Sequence, residues 1–255
     1  MQLPLCCAYL THRGYLRSGN EDSLLVAGTV TSMSGMDQAA VLEVPALPAL
    51  FAVADGIGGA AHGEVASRMV LEFCSRSVVP PSSDAIIAMI AGAKDHLDGV
   101  VRRDPSYSGF GTTVAGVAVF PDYALIFNCG DSRVYLIHEG EIGRLSHDHS
   151  LVQELCDQGI ITDEQMYTHQ YRNIITASVS GDLLRPAPPV LVTRLPRPGS
   201  GRLLLCTDGV WEVIRDTLLL SLGSDADIQA AANSLLRACL AGGGPDNITL
   251  ILIDI

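Results

Sequence analysis

An apolar run that stops at a carboxylate and a cluster of glycines is the feature that most restricts how this chain can fold. Residues 50–54 (L-F-A-V-A) have the composition of a buried strand, and Asp55 follows them directly. Gly56, Gly58 and Gly59 then allow the backbone to turn tightly. A carboxylate beside backbone carbonyls at a strand end suits a hard cation. Because Asp-Gly is also common in ordinary turns before helices, this stretch alone leaves both interpretations open.

Carboxylates border apolar runs at several other places in the chain. They are Glu21-Asp22 before the run 23–27, Asp131 in the turn 130–132, Asp208-Gly209 after the run 202–206, and Asp246-Asn247 before the run 248–255. In a layered sheet such ends can meet at one rim, where carboxylates repel one another unless cations neutralise them. All-oxygen ligands without a His or Cys cluster favour Mg²⁺ or Mn²⁺ over zinc.

The excess of acidic over basic residues limits the kinds of partner that the chain can bind. The 255 residues carry a formal net charge of -12 and contain no basic cluster, which argues against nucleic-acid binding. An anionic substrate remains compatible if bound cations reverse the local field. The length and the apolar content are sufficient for a sizeable core.

Cysteine usage and hydropathy indicate the compartment. The seven cysteines are odd in number and scattered, with no C-x-x-C pair, so we expect reduced core residues of a cytoplasmic protein. The N-terminus lacks the basic start and long apolar region of a signal peptide. No apolar segment reaches the roughly 18 residues of a membrane helix, so we expect no membrane association.

The periodicity predicts alternating groups of strands and helices. We expect helices beyond Gly63 and over about 84–101, the second capped by a serine among residues 82–83. Residues 112–120, 123–129 and 133–138 are predicted to form an antiparallel meander, in which Asp131 would be either a ligand or simply a hairpin-turn aspartate. A last helix over about 226–240 is predicted to open with a capping box from Ser224 to Asp227.

Seven motifs occur together in one order along nearly the whole chain. They are G-Y-L-R-S-G-N-E-D (14–22), V-A-D-G-I-G-G with G-E-V-A-S (53–59, 63–67), G-F-G-T-T (109–113), N-C-G-D-S-R-V-Y (128–135), D-H-S-L-V (148–152), L-L-L-C-T-D-G (203–209) and G-G-P-D-N-I-T (243–249). In this set the sequence resembles the bacterial metal-dependent serine/threonine protein phosphatases of type 2C. A short piece of any one motif is unspecific, whereas the joint occurrence of all seven in this order is highly specific.

The resemblance implies an α+β fold, a four-layer α-β-β-α sandwich of two antiparallel sheets flanked by helices. The whole chain, 1–255, would be a single phosphatase domain with a surface flap insertion over approximately 146–189. The metal centre would lie in a cleft at one end of the sandwich.

The resemblance also implies the roles of individual residues. Asp55 looks like the carboxylate that bridges two metals. The other implied ligands are Asp208 and Asp246 for the first metal, Glu21 and the Gly56 carbonyl for the second, and Asp131 with Asp208 for a possible third. Asp22 resembles an acid that hydrogen-bonds metal-bound water, and Asn247 is expected to orient the loop carrying Asp246.

The implied activity is hydrolysis of phosphoserine and phosphothreonine on proteins by a hydroxide bridging two Mn²⁺ or Mg²⁺ ions. Arg17 matches the arginine that grips the substrate phosphate, a role suited to its bidentate fork. The enzyme is expected to be a cytoplasmic monomer that opposes a serine/threonine kinase. Two alternatives remain: a hydrolase of small phosphate esters with the same centre, and an inactive relative acting as a binding module.

The sequence departs from the family pattern at two places near the expected site. Ile57 stands where some members place an acid histidine, so metal-bound water would have to protonate the leaving group. His62 lies five positions later and is either a catalytic residue or an ordinary loop histidine. In the flap, Asn173 and Thr176 fit the pattern, but Ala177 replaces an arginine that is common in bacterial members, which affects the expected substrate fit.

Overall fold

A computed structural model of the chain describes residues 4–57, 62–197 and 200–255. Gly58 and Gly59, which are predicted to turn the chain, lie outside these ranges. The strands are β1 Leu5–His12, β2 Ser23–Val26, β3 Thr29–Thr31, β4 Ala40–Val44, β5 Ala49–Ala54, β6 Gly56–Ile57, β7 Gly111–Thr112, β8 Val114–Val119, β9 Tyr123–Cys129, β10 Arg133–His138, β11 Glu141–Arg144, β12 Val179–Ser180, β13 Leu191–Pro196, β14 Arg202–Cys206 and β15 Ile248–Asp254. The helices are α1 Gly63–Arg76, α2 Ser83–Arg103, α3 Leu151–Asp157, α4 Asp163–Met166, α5 Asp208–Trp211, α6 Asp216–Gly223 and α7 Ile228–Ala241.

Most strands of the described ranges belong to two six-stranded antiparallel sheets. The first has the order β11-β10-β14-β15-β1-β4, and the second has the order β13-β9-β8-β5-β2-β3. The first and last parts of the chain meet in the first sheet, where β1 pairs with β15 over seven residues. A short third sheet, β12-β7-β6, continues beyond the second sheet next to Asp55.

Three apolar clusters give the molecule its layers. One lies between the two sheets and includes Leu24, Phe51 and Ile251. A second packs α1 and α2 on the outer face of the second sheet, and a third packs α5, α6 and α7 on the outer face of the first. The strands between the helical layers are buried on both faces, which explains their continuous apolar runs. The predicted four-layer α-β-β-α sandwich is confirmed.

The helix starts follow side-chain capping, with one departure from the prediction. The Ser82 hydroxyl accepts a hydrogen bond from the Ala85 N–H at 3.3 Å and caps α2, as predicted. For α7 the cap is Asp227, whose carboxylate accepts from the Gln229 and Ala230 N–H groups. The predicted capping box from Ser224 is wrong, because the Ser224 hydroxyl donates instead to the Leu220 carbonyl at the end of α6.

The predicted three-stranded meander is also wrong in its last strand. β8 pairs with β9, but β10 pairs with β11 and β14 in the other sheet. Residues 130–132 therefore carry the chain from one sheet to the other, and Asp131 does not lie in a hairpin turn. This crossover places Asp131 between the sheets, where it is buried.

The segment 146–189 contains α3, α4 and β12. Its first part is tied to the crossover, since the His149 and Gly130 backbone groups are joined by an N–H···O bond of 2.9 Å and the Gly130 N–H donates to His149 Nδ1 at 3.1 Å. Its last part enters the small sheet through β12, so that Val179 is buried. Within the described ranges, no helix is both long and apolar enough to cross a membrane.

Candidate metal centre

A cavity of about 680 Å³ opens at the end of the sandwich where β2, β5, β14 and β15 begin or end. Six carboxylates from distant parts of the sequence line it together with Arg17. The lining residues are Arg17, Glu21, Asp55, Gly56, Ile57, His62, Glu64, Asn173, Ile175, Asp208, Glu212, Asp246 and Asn247. The fold therefore brings Glu21, Asp55, Asp208 and Asp246 to one place.

Asp55 is held by its backbone between β5 and the small sheet. Its N–H donates to the Thr113 hydroxyl at 3.1 Å, and its carbonyl accepts from the Thr112 hydroxyl at 2.8 Å and the Thr113 N–H at 2.9 Å. The Thr113 hydroxyl also lies 2.7 Å from the Ser132 hydroxyl. The G-T-T motif thus fixes the Asp55 backbone relative to the crossover that carries Asp131.

Gly56 lies where the N-terminus of α1 meets the loop before β2. Its N–H donates to the Glu21 carbonyl at 3.2 Å, and a Cβ at this position would overlap the carbonyl of Gly63. The side chain of Glu21 approaches Gly63 so closely that a Cβ there would also collide with it. The close approach of two backbone segments thus requires Gly56, whereas a Cβ at Gly63 would mainly displace the Glu21 side chain.

We expect Gly56→Ala to destabilise the protein by roughly 3 kcal/mol, because the new methyl group must push β6 and α1 apart. Urea unfolding of the metal-free protein measures the change. Gly19→Ala is the matched control, since a Cβ at Gly19 has no heavy atom within 4 Å and its φ is not positive. Equal stabilities of the two variants would contradict the packing role of Gly56.

Asn247 joins three segments around the cavity. Its side-chain oxygen accepts from the Glu21 N–H at 2.8 Å, and its amide group donates to the Arg13 and Gly19 carbonyls, each at 2.9 Å. Asp246, the preceding residue, accepts from Arg17 Nη2 at 2.6 Å. This hydrogen bond is the main cause of a raised pKa for the Arg17 guanidinium, which stays charged.

Asp22 and Asp131 are buried behind the cavity wall and do not line it. The Thr207 hydroxyl donates to Asp22 Oδ2 at 2.8 Å. The Asp131 carbonyl accepts from the Trp211 indole N–H at 3.0 Å, and the Arg133 guanidinium lies 3.5 Å from the centre of the Trp211 ring. Thr207 and Trp211 flank Asp208, so one short segment supports all three aspartates.

Burial and repulsion by neighbouring carboxylates raise the pKa values of Glu21, Asp22, Asp55, Asp131 and Asp208. Loss of hydration is the main cause for Asp22 and Asp131, whose pKa values each rise to about 7. For Asp55 and Asp208 the pKa lies well above its usual range, first through burial and then through the charge of Asp208 on Asp55 and of Asp131 on Asp208. Burial, followed by the charge of Glu64, raises the pKa of Glu21.

Among the residues that the structure describes, three buried carboxylate oxygens have no hydrogen-bond partner: Asp22 Oδ1, Asp131 Oδ1 and Asp208 Oδ1. Unpartnered buried acceptors are costly, and clustered anionic oxygens are the ligands that hard divalent cations take. In the described ranges, no three His, Cys, Asp or Glu side chains are already gathered tightly enough to hold a metal ion. The donor set fits a divalent cation chemically, and the side chains stand apart as repelling groups do.

The cavity also contains four residues that are not among the predicted metal ligands: Ile57, His62, Glu64 and Glu212. Ile57 lines the cavity as the family departure implies, and His62 lines it with its ring stacked on Tyr107, centroids 4.2 Å apart. Glu64 and Glu212 were missed. Glu212 had a signal, because it follows Asp208 by four residues and thus shares a face of the short helix α5.

The family model described as protein phosphatase 2C matches residues 33–237. The chain belongs to this family. It is 30% identical over 257 residues to the serine/threonine protein phosphatase PstP of Mycobacterium tuberculosis, covering 99% of this chain and 45% of PstP. The chain thus spans about half the length of that relative.

Solved structures give the same result. The crystal structure of M. tuberculosis PstP has a TM-score of 0.82 and 29% identity, covering 99% of each chain. The PstP catalytic domain in complex with two manganese ions has a TM-score of 0.78 and 28% identity, again covering 99% of each chain.

Proposed function

We propose that the chain is a metal-dependent protein phosphatase that hydrolyses phosphoserine and phosphothreonine. The observation that carries this is one cavity in which Glu21, Asp55, Asp208 and Asp246 meet beside Arg17. The manganese complex of the PstP catalytic domain and the names of the relatives support the metal and the substrate class.

Glu21, Asp55, the Gly56 carbonyl, Asp208 and Asp246 would hold two Mn²⁺ or Mg²⁺ ions, and Asp131 with Asp208 a third. When bound, such ions lower the pKa of water and neutralise charge on a phosphoryl group. The protein contributes the fixed positions of the carboxylates. Thr112 and Thr113 hold Asp55, Asn247 holds the segments of Glu21 and Asp246, and Thr207 orients Asp22.

Arg17 would bind the phosphate. Its side chain lies at the cavity wall, and within the described ranges its one hydrogen bond goes to Asp246, which leaves further N–H groups to donate to phosphate oxygens. Ile57 provides no proton for the leaving serine or threonine oxygen.

The whole chain, 1–255, would act as one phosphatase domain with a flap over approximately 146–189. It would be a cytoplasmic monomer that opposes a serine/threonine kinase; its seven free cysteines support a reducing compartment.

Hydrolysis of a phosphothreonine peptide tests this function. We expect turnover with Mn²⁺ or Mg²⁺, none with a chelator, and slower turnover of nucleotides. Preferred hydrolysis of nucleotides would favour the small-ester alternative, and binding of phosphopeptide without turnover would favour the inactive one. Full activity after complete removal of metal would refute the proposed chemistry.

We expect Arg17→Ala to raise KM for the phosphothreonine peptide roughly tenfold or more, with a smaller effect on kcat, because a charge-assisted contact to phosphate is lost. The KM of Arg17→Lys should lie between those of Arg17→Ala and the wild type, since lysine keeps the positive charge but cannot donate two parallel hydrogen bonds as a guanidinium does. Arg68→Ala, which removes an exposed arginine of α1 paired with Glu72, is the control. A loss confined to kcat would contradict phosphate binding by Arg17.

A further inference from the structure

Two large apolar side chains stand in solvent immediately before Arg17. Tyr15 is 65% exposed and Leu16 is 74% exposed, although both lie in a loop whose next residue lines the catalytic cavity. Exposed apolar side chains that stand singly are normal on protein surfaces, whereas a contiguous pair at the rim of a site is informative.

The backbone that carries this pair is held firmly. The Tyr15 N–H donates to the Gly244 carbonyl at 2.8 Å, and the Gly14 N–H donates to His12 Nδ1 at 2.9 Å. Gly14 has φ +75°, and a Cβ on it would overlap the Asp246 carbonyl. The Asn247 amide group adds its hydrogen bonds to the carbonyls on both sides of the pair, those of Arg13 and Gly19. The backbone of the loop that carries both side chains is thus held in place.

The loop that carries Tyr15 and Leu16 is connected to the cavity through Asp246. Gly14 packs on the residue that supplies the cavity carboxylate Asp246, and Arg17 binds that carboxylate. A phosphopeptide whose phosphate reaches Arg17 continues in both directions by about 3.3 Å per residue if it is extended. Its neighbouring side chains then come within reach of Tyr15 and Leu16.

We propose that Tyr15 and Leu16 form a subsite for an apolar side chain one or two residues from the phosphorylated serine or threonine. This inference rests on the proposed function and names the substrate class: phosphoprotein segments with an apolar flanking residue. A subsite with a tyrosine and a leucine offers a partner only apolar area and one hydroxyl, so it discriminates against charged flanking residues by desolvation.

Steady-state kinetics with Mn²⁺ on a matched pair of phosphothreonine peptides tests the subsite. One peptide carries leucine at the two positions on each side of the phosphothreonine, and the other carries serine there. We expect the wild type to prefer the leucine peptide by roughly fivefold to tenfold in kcat/KM. In Tyr15→Ser/Leu16→Ser the ratio of kcat/KM for the two peptides should fall to about one, mainly because KM for the leucine peptide rises. The control substrate is p-nitrophenyl phosphate, which has no flanking residues.

Val78→Ser is the control, because Val78 is 90% exposed just beyond the far end of α1. It should keep the wild-type preference. A wild type that hydrolyses both peptides equally well overturns the subsite while leaving the proposed function intact, and a wild type that hydrolyses neither refutes the function itself. Equal losses on both peptides and on p-nitrophenyl phosphate would show a structural role and overturn the subsite. A dimer in light scattering that the double variant converts to a monomer, with unchanged peptide preference, would assign the pair to contact between two copies and also overturn it.

Discussion

Asp208→Asn should lower kcat/KM for a phosphothreonine peptide by roughly 10³-fold or more while making the metal-free protein more stable. The residue lines the cavity, and the charges of Asp131 and Asp246 raise its pKa after burial does. An asparagine removes one of several repelling charges from the folded state, but it also removes an anionic ligand from the proposed centre. The activity and the stability therefore change in opposite directions.

The increase in stability should be about 1 to 2 kcal/mol at neutral pH, or roughly 4 °C in the melting temperature for a chain of this size. Thermal unfolding in the presence of a chelator measures it, and addition of Mn²⁺ should stabilise the variant less than the wild type. Asp122→Asn, at an exposed aspartate of the turn between β8 and β9, is the control and should change neither quantity. Normal kinetics of Asp208→Asn would contradict the proposed role of this carboxylate.

The sequence predicts that Glu21, Asp55, Asp208 and Asp246 lie together because each borders an apolar strand, whereas the cavity residues Glu64 and Glu212 border no strand and were missed. A strand end is a local feature, visible as the change from apolar residues to Asp-Gly or Asp-Asn, and the two sheets bring these ends together. The four-layer architecture was implied by the resemblance to the family, whereas the apolar runs indicate only that the individual strands are buried. The family resemblance depended in addition on the order of the seven motifs along the chain, which no single strand-end pattern contains.

Long-range pairing could not be predicted from the same signals. A short turn between two apolar strands looks alike whether the strands pair or enter different sheets, so the crossover at Asp131 was assigned to a meander. The helix α6 was missed because its run L-L-L-S-L has no clear helical period. The sequence predicts that Gly56 allows a tight turn, and the resemblance implies that its carbonyl is a ligand, but its packing against the Gly63 carbonyl depends on the tertiary fold.

The stability of the metal-free protein should fall as the pH rises from about 4 to about 8. Asp22 and Asp131 have pKa values raised to about 7 in the folded protein, against roughly 3.9 in an unfolded chain. Below about pH 4 both states hold the proton, so these groups cost nothing. Between the two values the unfolded state releases the proton first, and above about pH 7 each ionised carboxylate destabilises the folded state by a few kcal/mol.

Divalent cations should reverse this loss, because they bind the ionised carboxylates of the folded state. Thermal unfolding with a chelator and with Mn²⁺, at about pH 5 and about pH 8, measures both effects, and the stabilisation by Mn²⁺ should be much larger at the higher pH. Asp22→Asn should flatten the pH dependence of the metal-free protein, whereas Asp122→Asn should follow the wild type. Equal stabilisation by Mn²⁺ at the two pH values would mean that the buried aspartates are not the groups that cations neutralise, since their ionisation is what separates the two conditions.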